Sequence, residues 1–208
     1  MIRYLILSSS DDYLRRLSPL CPPERYEKAM RMRREEEKVT QIIAGGLLTL
    51  ILKKVYGIPR EAQKIETTPK GKPFLFDRSV YFNLSHSKNR LLLAFSEEDV
   101  GCDIQTERMP SDRLQASVVT DEERHYMAND PLRFAQIWTV KEAYCKYTGE
   151  GISKDLRSVN SCDRFGIRSS INGIPILSGT DLDYGYTIIG RGMQNGVEII
   201  PKEIIDRS

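Results

Sequence analysis

An α+β fold is what this sequence predicts, and three observations predict it. Short apolar runs with strand character recur along the chain. Two long segments instead carry helical spacing. The two kinds follow one another without regular βαβ alternation. The chain has 208 residues, 40% of them hydrophobic and 29% charged. That suits one globular unit or two small halves sharing a core.

In chain order, residues 2–8 read as a buried strand. Cys21-Pro22-Pro23 is a turn that leads into a helical stretch, with proline tolerated in the first turn. Val39, Ile42, Ile43, Leu47, Leu50 and Ile51 follow helical spacing, and Gly57 with Pro59 marks the end. Gly45-Gly46 inside that helix costs about 1 kcal/mol per glycine relative to alanine. A close backbone approach or a bend would explain the pair. Thr68 to Pro73 is a loop by composition. Val80–Leu84, Leu91–Phe95 and Val100–Ile104 read as short strands. Residues 112–128 read as helical, with Thr120-x-x-Glu123 as a capping box for a second helix. Phe134–Tyr147 is the clearest amphipathic helix, ended by Gly149 or Gly151. Beyond Leu156 come short β-like pieces, Tyr186–Ile189 and Val197–Ile200 among them. A boundary near residue 100 divides the chain into residues 1–100 and 101–208.

Several function classes are disfavoured. Net charge is only +2, so bulk charge does not argue for nucleic acid. No stretch reaches the roughly 20 apolar residues of a membrane helix. The N-terminus lacks the basic and long apolar regions of a signal peptide. Four cysteines without CxxC spacing are expected to be reduced thiols of a cytoplasmic protein. Two histidines are too few for a His-rich zinc site. No GxSxG elbow supports a serine hydrolase.

The residues suited to chemistry fall in three short segments, Phe82–Ser87, Gly101–Gln105 and Trp138–Lys146. Asp103 follows an apolar strand and Gly101, a place where backbone comes close to something. A strand-end carboxylate is a good hard-cation ligand; the bland reading is a turn aspartate capping local amides. Gln105 shares the strand face of Asp103 and offers a neutral oxygen. Glu142 and Lys146 lie four residues apart on a helix. They read either as a simple ion pair worth roughly 0.2–0.5 kcal/mol or as a metal ligand beside a phosphate contact. Lys141 falls in the apolar stripe and reads as a snorkelling side chain. Magnesium takes one or two protein carboxylates plus substrate phosphates and water, a count that Asp103 and Glu142 satisfy. His86, between Ser85 and Ser87, is suited to donate to phosphate; the alternative is a histidine satisfied within a polar turn. His125 reads as exposed. Lys72 lies in a loop able to supply one cation. Arg25 and Lys28 share a helix face within a basic run extending to Lys38. That run reads as a solvated face or as a contact to a terminal phosphate.

Taken in order, Gly71-Lys72-Pro73, Phe82-Asn83-Leu84-Ser85-His86-Ser87, Gly101-Cys102-Asp103-Ile104-Gln105 and Trp138-Thr139-x-Lys141-Glu142-Ala143-x-x-Lys146 resemble the motifs of the 4′-phosphopantetheinyl transferases of the surfactin-synthetase-activating (Sfp) type. The likeness covers residues 70–155, and the segment from Pro23 to Lys38 resembles the family's basic first helix. The last stretch matches only loosely. The resemblance implies two similar α+β halves related by a pseudo-twofold axis, with coenzyme A between them and the metal site carried by the second half. It implies Mg2+-dependent transfer of the 4′-phosphopantetheine arm to a serine of an apo acyl or peptidyl carrier protein, releasing adenosine 3′,5′-bisphosphate. Asp103 and Glu142, with Gln105, stand at metal-ligand positions. Ser85, His86, Lys146, Lys72, Pro73, Arg25 and Lys28 stand at coenzyme A positions, and Glu123 at an acidic position of the middle segment. Glu142, Lys146 and His86 are the expected catalytic groups, and a monomer is expected. Two departures stand out. Many relatives carry glutamate at the position of Gln105, and a basic residue expected at Thr40-Gln41 is missing. The competing readings are a catalytically decayed coenzyme A binder, marked by Gln105, and a nucleic-acid protein using the Arg25–Lys38 run.

Overall fold

The computed structural model describes residues 1–151 and 155–206. It is an α+β arrangement of two four-stranded sheets packed face to face, with a long helix on each outer side. Strand β1 (Ile2–Ser8) is followed by helices α1 (Asp11–Leu17), α2 (Pro23–Met30) and α3 (Glu35–Lys54). A small hairpin, β2 (Ile65–Thr67) and β3 (Pro73–Leu75), precedes β4 (Tyr81–Ser87), β5 (Arg90–Ser96) and β6 (Gly101–Thr106). Helices α4 (Asp112–Val118), α5 (Asp121–Met127) and α6 (Pro131–Thr148) come next. A short hairpin, β7 (Cys162–Asp163) and β8 (Gly166–Ile167), leads to β9 (Ser170–Ile171), β10 (Ile174–Asp181) and β11 (Tyr184–Ile189). The described chain closes with β12 (Val197–Ile199) and α7 (Glu203–Asp206).

The first sheet has the order β12-β1-β5-β4, and the second β6-β11-β10-β9. Alternation along β5 explains the layering. Leu91, Leu93 and Phe95 face α3 and join Ile43, Leu47 and Ile51 in one core. Leu92 and Ala94 face the other way and meet Cys102, Ile104 and Ile188 of the second sheet. Helix α6 covers the far side of that sheet, where Val140 and Ala143 pack with Ile189. β12 pairs parallel with β1, Ile2 opposite Val197, so a late strand completes the first sheet.

The glycine pair in α3 answers to close approach. A methyl group on Gly46 would fall 2.0 Å from the carbonyl oxygen of Leu17. The basic run differs from one continuous helix: α2 stops at Met30 and α3 starts at Glu35. Glu35, Glu36 and Glu37 fill the first turn of α3, and carboxylates stabilise a helix N-terminus. The run thus contains its own restart signal. The capping box of α5 forms in both directions, Glu123 N to Thr120 Oγ1 and Thr120 N to Glu123 Oε2. Gly149, at φ 72°, ends α6. Among the described residues no helix is long and apolar enough to cross a membrane.

Candidate active site

Edge strand β4 of the first sheet runs beside edge strand β6 of the second, and side chains fasten the two. Asn83, Ser85 and Ser87 recur at the strand period of two, so all three point toward β6. Cys102 N donates to Asn83 Oδ1 at 2.9 Å, Ser85 Oγ donates to Asp103 Oδ1 at 2.6 Å, and Thr106 N donates to Ser87 Oγ at 3.1 Å. On the opposite side of β6, α6 lies almost in contact. A methyl group on Gly101 would sit 2.2 Å from the carbonyl oxygen of Ala143. Only glycine admits that approach, and it brings Asp103 on β6 against Glu142 and Lys146 on α6.

The result is a cleft of about 350 Å³ lined by Ser85, His86, Asp103, Gln105, Glu142 and Lys146, with Trp138 on its wall. A second cavity of about 300 Å³ shares Leu84, Glu142 and Lys146 with it and continues to Lys72, Pro73 and Asn83. Asp103 and Glu142 are each only 5% exposed. Lys146 Nζ reaches Asp103 Oδ1 at 2.6 Å and Ser85 Oγ at 2.9 Å. Its pKa is raised: burial pulls it down, but Asp103, with Cys102 and Glu142 behind it, outweighs that. Lys146 therefore pairs with Asp103 rather than forming the simple ion pair with Glu142 on its own helix.

Glu142 Oε1 is buried and has no hydrogen-bond partner. Burial, reinforced by the Asp103 charge and opposed by Lys146, pushes this carboxyl up from 4.5 to about 7. An orphaned buried carboxylate oxygen is costly unless something is meant to meet it. Among the described residues no group of three His, Cys, Asp or Glu side chains is assembled. The cleft offers two acids and Gln105. Gln105 commits its Nε2 to Ser87 Oγ and Thr106 O, both at 3.1 Å, and thereby keeps its amide oxygen for another partner. Oxygen donors of this kind fit a hard divalent cation.

His86 has the opposite strand parity to Ser85, toward α3, and lies at hydrogen-bonding distance from Gln41 Nε2 through its own Nε2. An amide nitrogen only donates, so that contact needs the neutral ring with Nδ1 as its donor. Burial, then Lys146, lowers the His86 pKa and favours the same form. Arg25 on α2 is part of this neighbourhood. Its Nη1 is buried without a partner, and burial lowers its pKa. Its charge reaches His86. Lys28 is exposed on the same helix and lines neither cavity. Lys72 Nζ donates to Tyr147 O at 3.3 Å and lies 3.6 Å from Asp99, tying its loop to the end of α6.

Lys141 does not snorkel. It is 0% exposed, pairs with Glu123 Oε1 at 2.9 Å and donates to Leu156 O and Val159 O. Glu123 Oε1 also accepts from Ser161 N and Oγ. This buried pair ties α5, α6 and the segment after residue 155 into one block behind the cleft. Sequence reasoning misses Gln41 and Asn83. Gln41 stands out in the sequence only as a place where a basic residue is missing, and its contact with His86 depends on α3 passing β4. Asn83 does carry a signal: it shares the strand parity of Ser85 and Ser87.

A profile of the 4′-phosphopantetheinyl transferase superfamily matches residues 99–188, the stretch that supplies Asp103, Glu142 and Lys146. The chain is 30% identical over 160 residues to 4′-phosphopantetheinyl transferase HetI of Nostoc sp. strain PCC 7120, covering 71% of this chain and 68% of HetI. It belongs to the 4′-phosphopantetheinyl transferase family. Psf-1 of Bacillus pumilus, also a 4′-phosphopantetheinyl transferase by name, is 32% identical over 152 residues, which cover 70% of this chain and 65% of psf-1. The Sfp protein of Bacillus subtilis strain 168 is 24% identical over 176 residues, covering 82% and 76%. The chain thus spans less than two thirds of psf-1 and about three quarters of Sfp.

Proposed function

We propose that this chain transfers the 4′-phosphopantetheine arm of coenzyme A to a serine of an apo acyl or peptidyl carrier protein, with Mg2+, releasing adenosine 3′,5′-bisphosphate. The observation that carries this reading is Glu142 Oε1, buried and unpartnered beside Asp103 and Lys146. Asp103 and Glu142, with the Gln105 amide oxygen, are the residues that would hold Mg2+. The bound ion would neutralise charge on the coenzyme A diphosphate. Lys146 stays protonated beside Asp103 and supplies positive charge toward the leaving phosphate. His86, through Nδ1, and Arg25 are assigned to donate to other phosphate oxygens. Lys28 is assigned with Arg25 to the 3′-phosphate, and Lys72 and Pro73, which line the second cavity, to the nucleotide.

In the reaction the carrier serine Oγ attacks the phosphorus that bears the pantetheine arm. A new O–P bond forms as the bridging P–O bond breaks, and the electron pair leaves with adenosine 3′,5′-bisphosphate. The serine proton is assigned to Glu142. A positioned base of this kind contributes about 10²–10⁴-fold in rate, and in-line alignment within the cleft supplies much of the rest. Both sides of the cleft come from one chain, which supports a monomer as the working unit. Four cysteines buried as thiols support a reducing, cytoplasmic setting.

Incubation with coenzyme A, Mg2+ and a panel of apo-carriers, read by mass spectrometry, tests the reading. A pantetheine adduct on the carrier serine is expected, lost on chelation and in Asp103→Ala and Glu142→Ala. Binding of coenzyme A without transfer to any carrier would favour the second reading, a decayed binder. Gln105, a neutral side chain where the family resemblance leads one to expect an acid, is the feature that favours that reading.

A further inference from the structure

Asn83 lies two residues before Ser85 on β4 and is 4% exposed. Cys102 N donates to its Oδ1 at 2.9 Å. A backbone N–H only donates, so the atom it meets is the amide oxygen, and the orientation of the Asn83 amide is settled by that bond. Nδ2 is left with two N–H groups. Among the described residues it has no acceptor, yet it is not one of the sealed orphan atoms, which are Arg25 Nη1, Arg90 Nε and Glu142 Oε1. Asn83 lines the cavity of about 300 Å³ together with Lys72, Pro73, Glu142 and Lys146, and with Oδ1 committed to Cys102 N, Nδ2 is the side-chain polar atom left for that cavity. One end of this side chain is therefore anchored to β6 and the other presents donors to the cleft beside the Glu142–Lys146 junction. Aspartate would satisfy Cys102 N equally well. Asparagine adds a neutral donor, the chemistry that suits a phosphate oxygen in a site already holding two acids.

On the transferase reading above, we infer that Asn83 is a further substrate-binding residue, whose Nδ2 donates to a phosphate oxygen of bound coenzyme A. Its Oδ1 bond to Cys102 N holds the donor in place against the seam between the sheets. Serine and threonine at this position are too short to span both partners.

Asn83→Asp tests the assignment, because it keeps the shape and the acceptor for Cys102 N and replaces only the donor by an anionic oxygen. Calorimetric titration with coenzyme A in Mg2+-free buffer is expected to give a Kd raised about tenfold or more, with the melting temperature close to that of the unaltered protein. Unchanged affinity in a folded Asn83→Asp protein would overturn the inference. Should the variant not fold, protein labelled with 15N-asparagine supplies the same answer. The Asn83 side-chain amide signal is expected to move on adding coenzyme A, while those of Asn160 and Asn172 stay; an unmoved Asn83 signal overturns the inference. If the unaltered protein binds no coenzyme A at all, both the inference and the transferase reading fall, whereas binding without an Asn83 effect removes only the inference.

Discussion

Glu142 is a buried carboxyl whose ionised form the fold disfavours. Its carboxyl is raised from 4.5 to about 7 by burial and by Asp103. The unfolded chain gives up this proton at lower pH than the folded chain does. The contribution to stability is therefore fully present below about pH 4.5 and is lost as pH rises through about 7. At 1.36 kcal/mol per pH unit the difference is roughly 3 kcal/mol. The metal-free protein is expected to lose stability between pH 5 and 8 for this reason. Glu142→Gln should flatten that slope and raise the melting temperature at pH 8 while abolishing transfer, which thermal melts at the two pH values would check. Asp103, Glu142 and Lys146 were legible in the sequence because each stands in a short motif with a chemical reason. Lys141 was not, since nothing in an apolar stripe tells a snorkelling lysine from one that meets a distant glutamate. Its partner comes from a capping box whose second oxygen is free to look inward.

At the scale of elements, the contact between β6 and α6 governs the site. A methyl group on Gly101 would press 2.2 Å from Ala143 O, so Gly101→Ala must part the strand from the helix. Overpacking of this kind costs about 1–3 kcal/mol or more. Urea unfolding should show that loss, and transfer should fall further than stability does, because Asp103 and Glu142 separate together. The buried Lys141–Glu123 pair makes a second prediction. Lys141→Met leaves a buried carboxylate with only Ser161 and the α5 cap, and should cost about 3–5 kcal/mol. Adding Glu123→Gln should recover part of it in the same unfolding assay. Most long elements follow from apolar period and punctuation, as α3, α6 and β4–β6 do. Helix α1 escapes because it is short and only Leu17 is fully buried, although Ser10 followed by Asp11 and Asp12 is an N-cap signature. Strand β10 is hidden by Pro175 and Gly179, which read as turn residues until neighbours on both sides are known.

Across the whole molecule the thiols offer a check on packing. All four cysteines are buried, and burial raises Cys102 to about 12 and Cys162 to about 11. Alkylation with iodoacetamide at pH 8 should modify less than one thiol per folded chain and all four in denaturant, since the thiolate is the reacting species. The α+β class was legible from mixed periodicities. The way the sheets share the chain was not, because parallel pairing of β12 with β1 is a long-range event that no local pattern encodes. That pairing carries a consequence for synthesis. During translation β1 is made well before its outer neighbour β12 and the core residues Ile200 and Ile205, which emerge almost two hundred residues later. The first sheet cannot close its β1 edge until that late segment has been made, and a chain cut short before Val197 would carry β1 with an open flank.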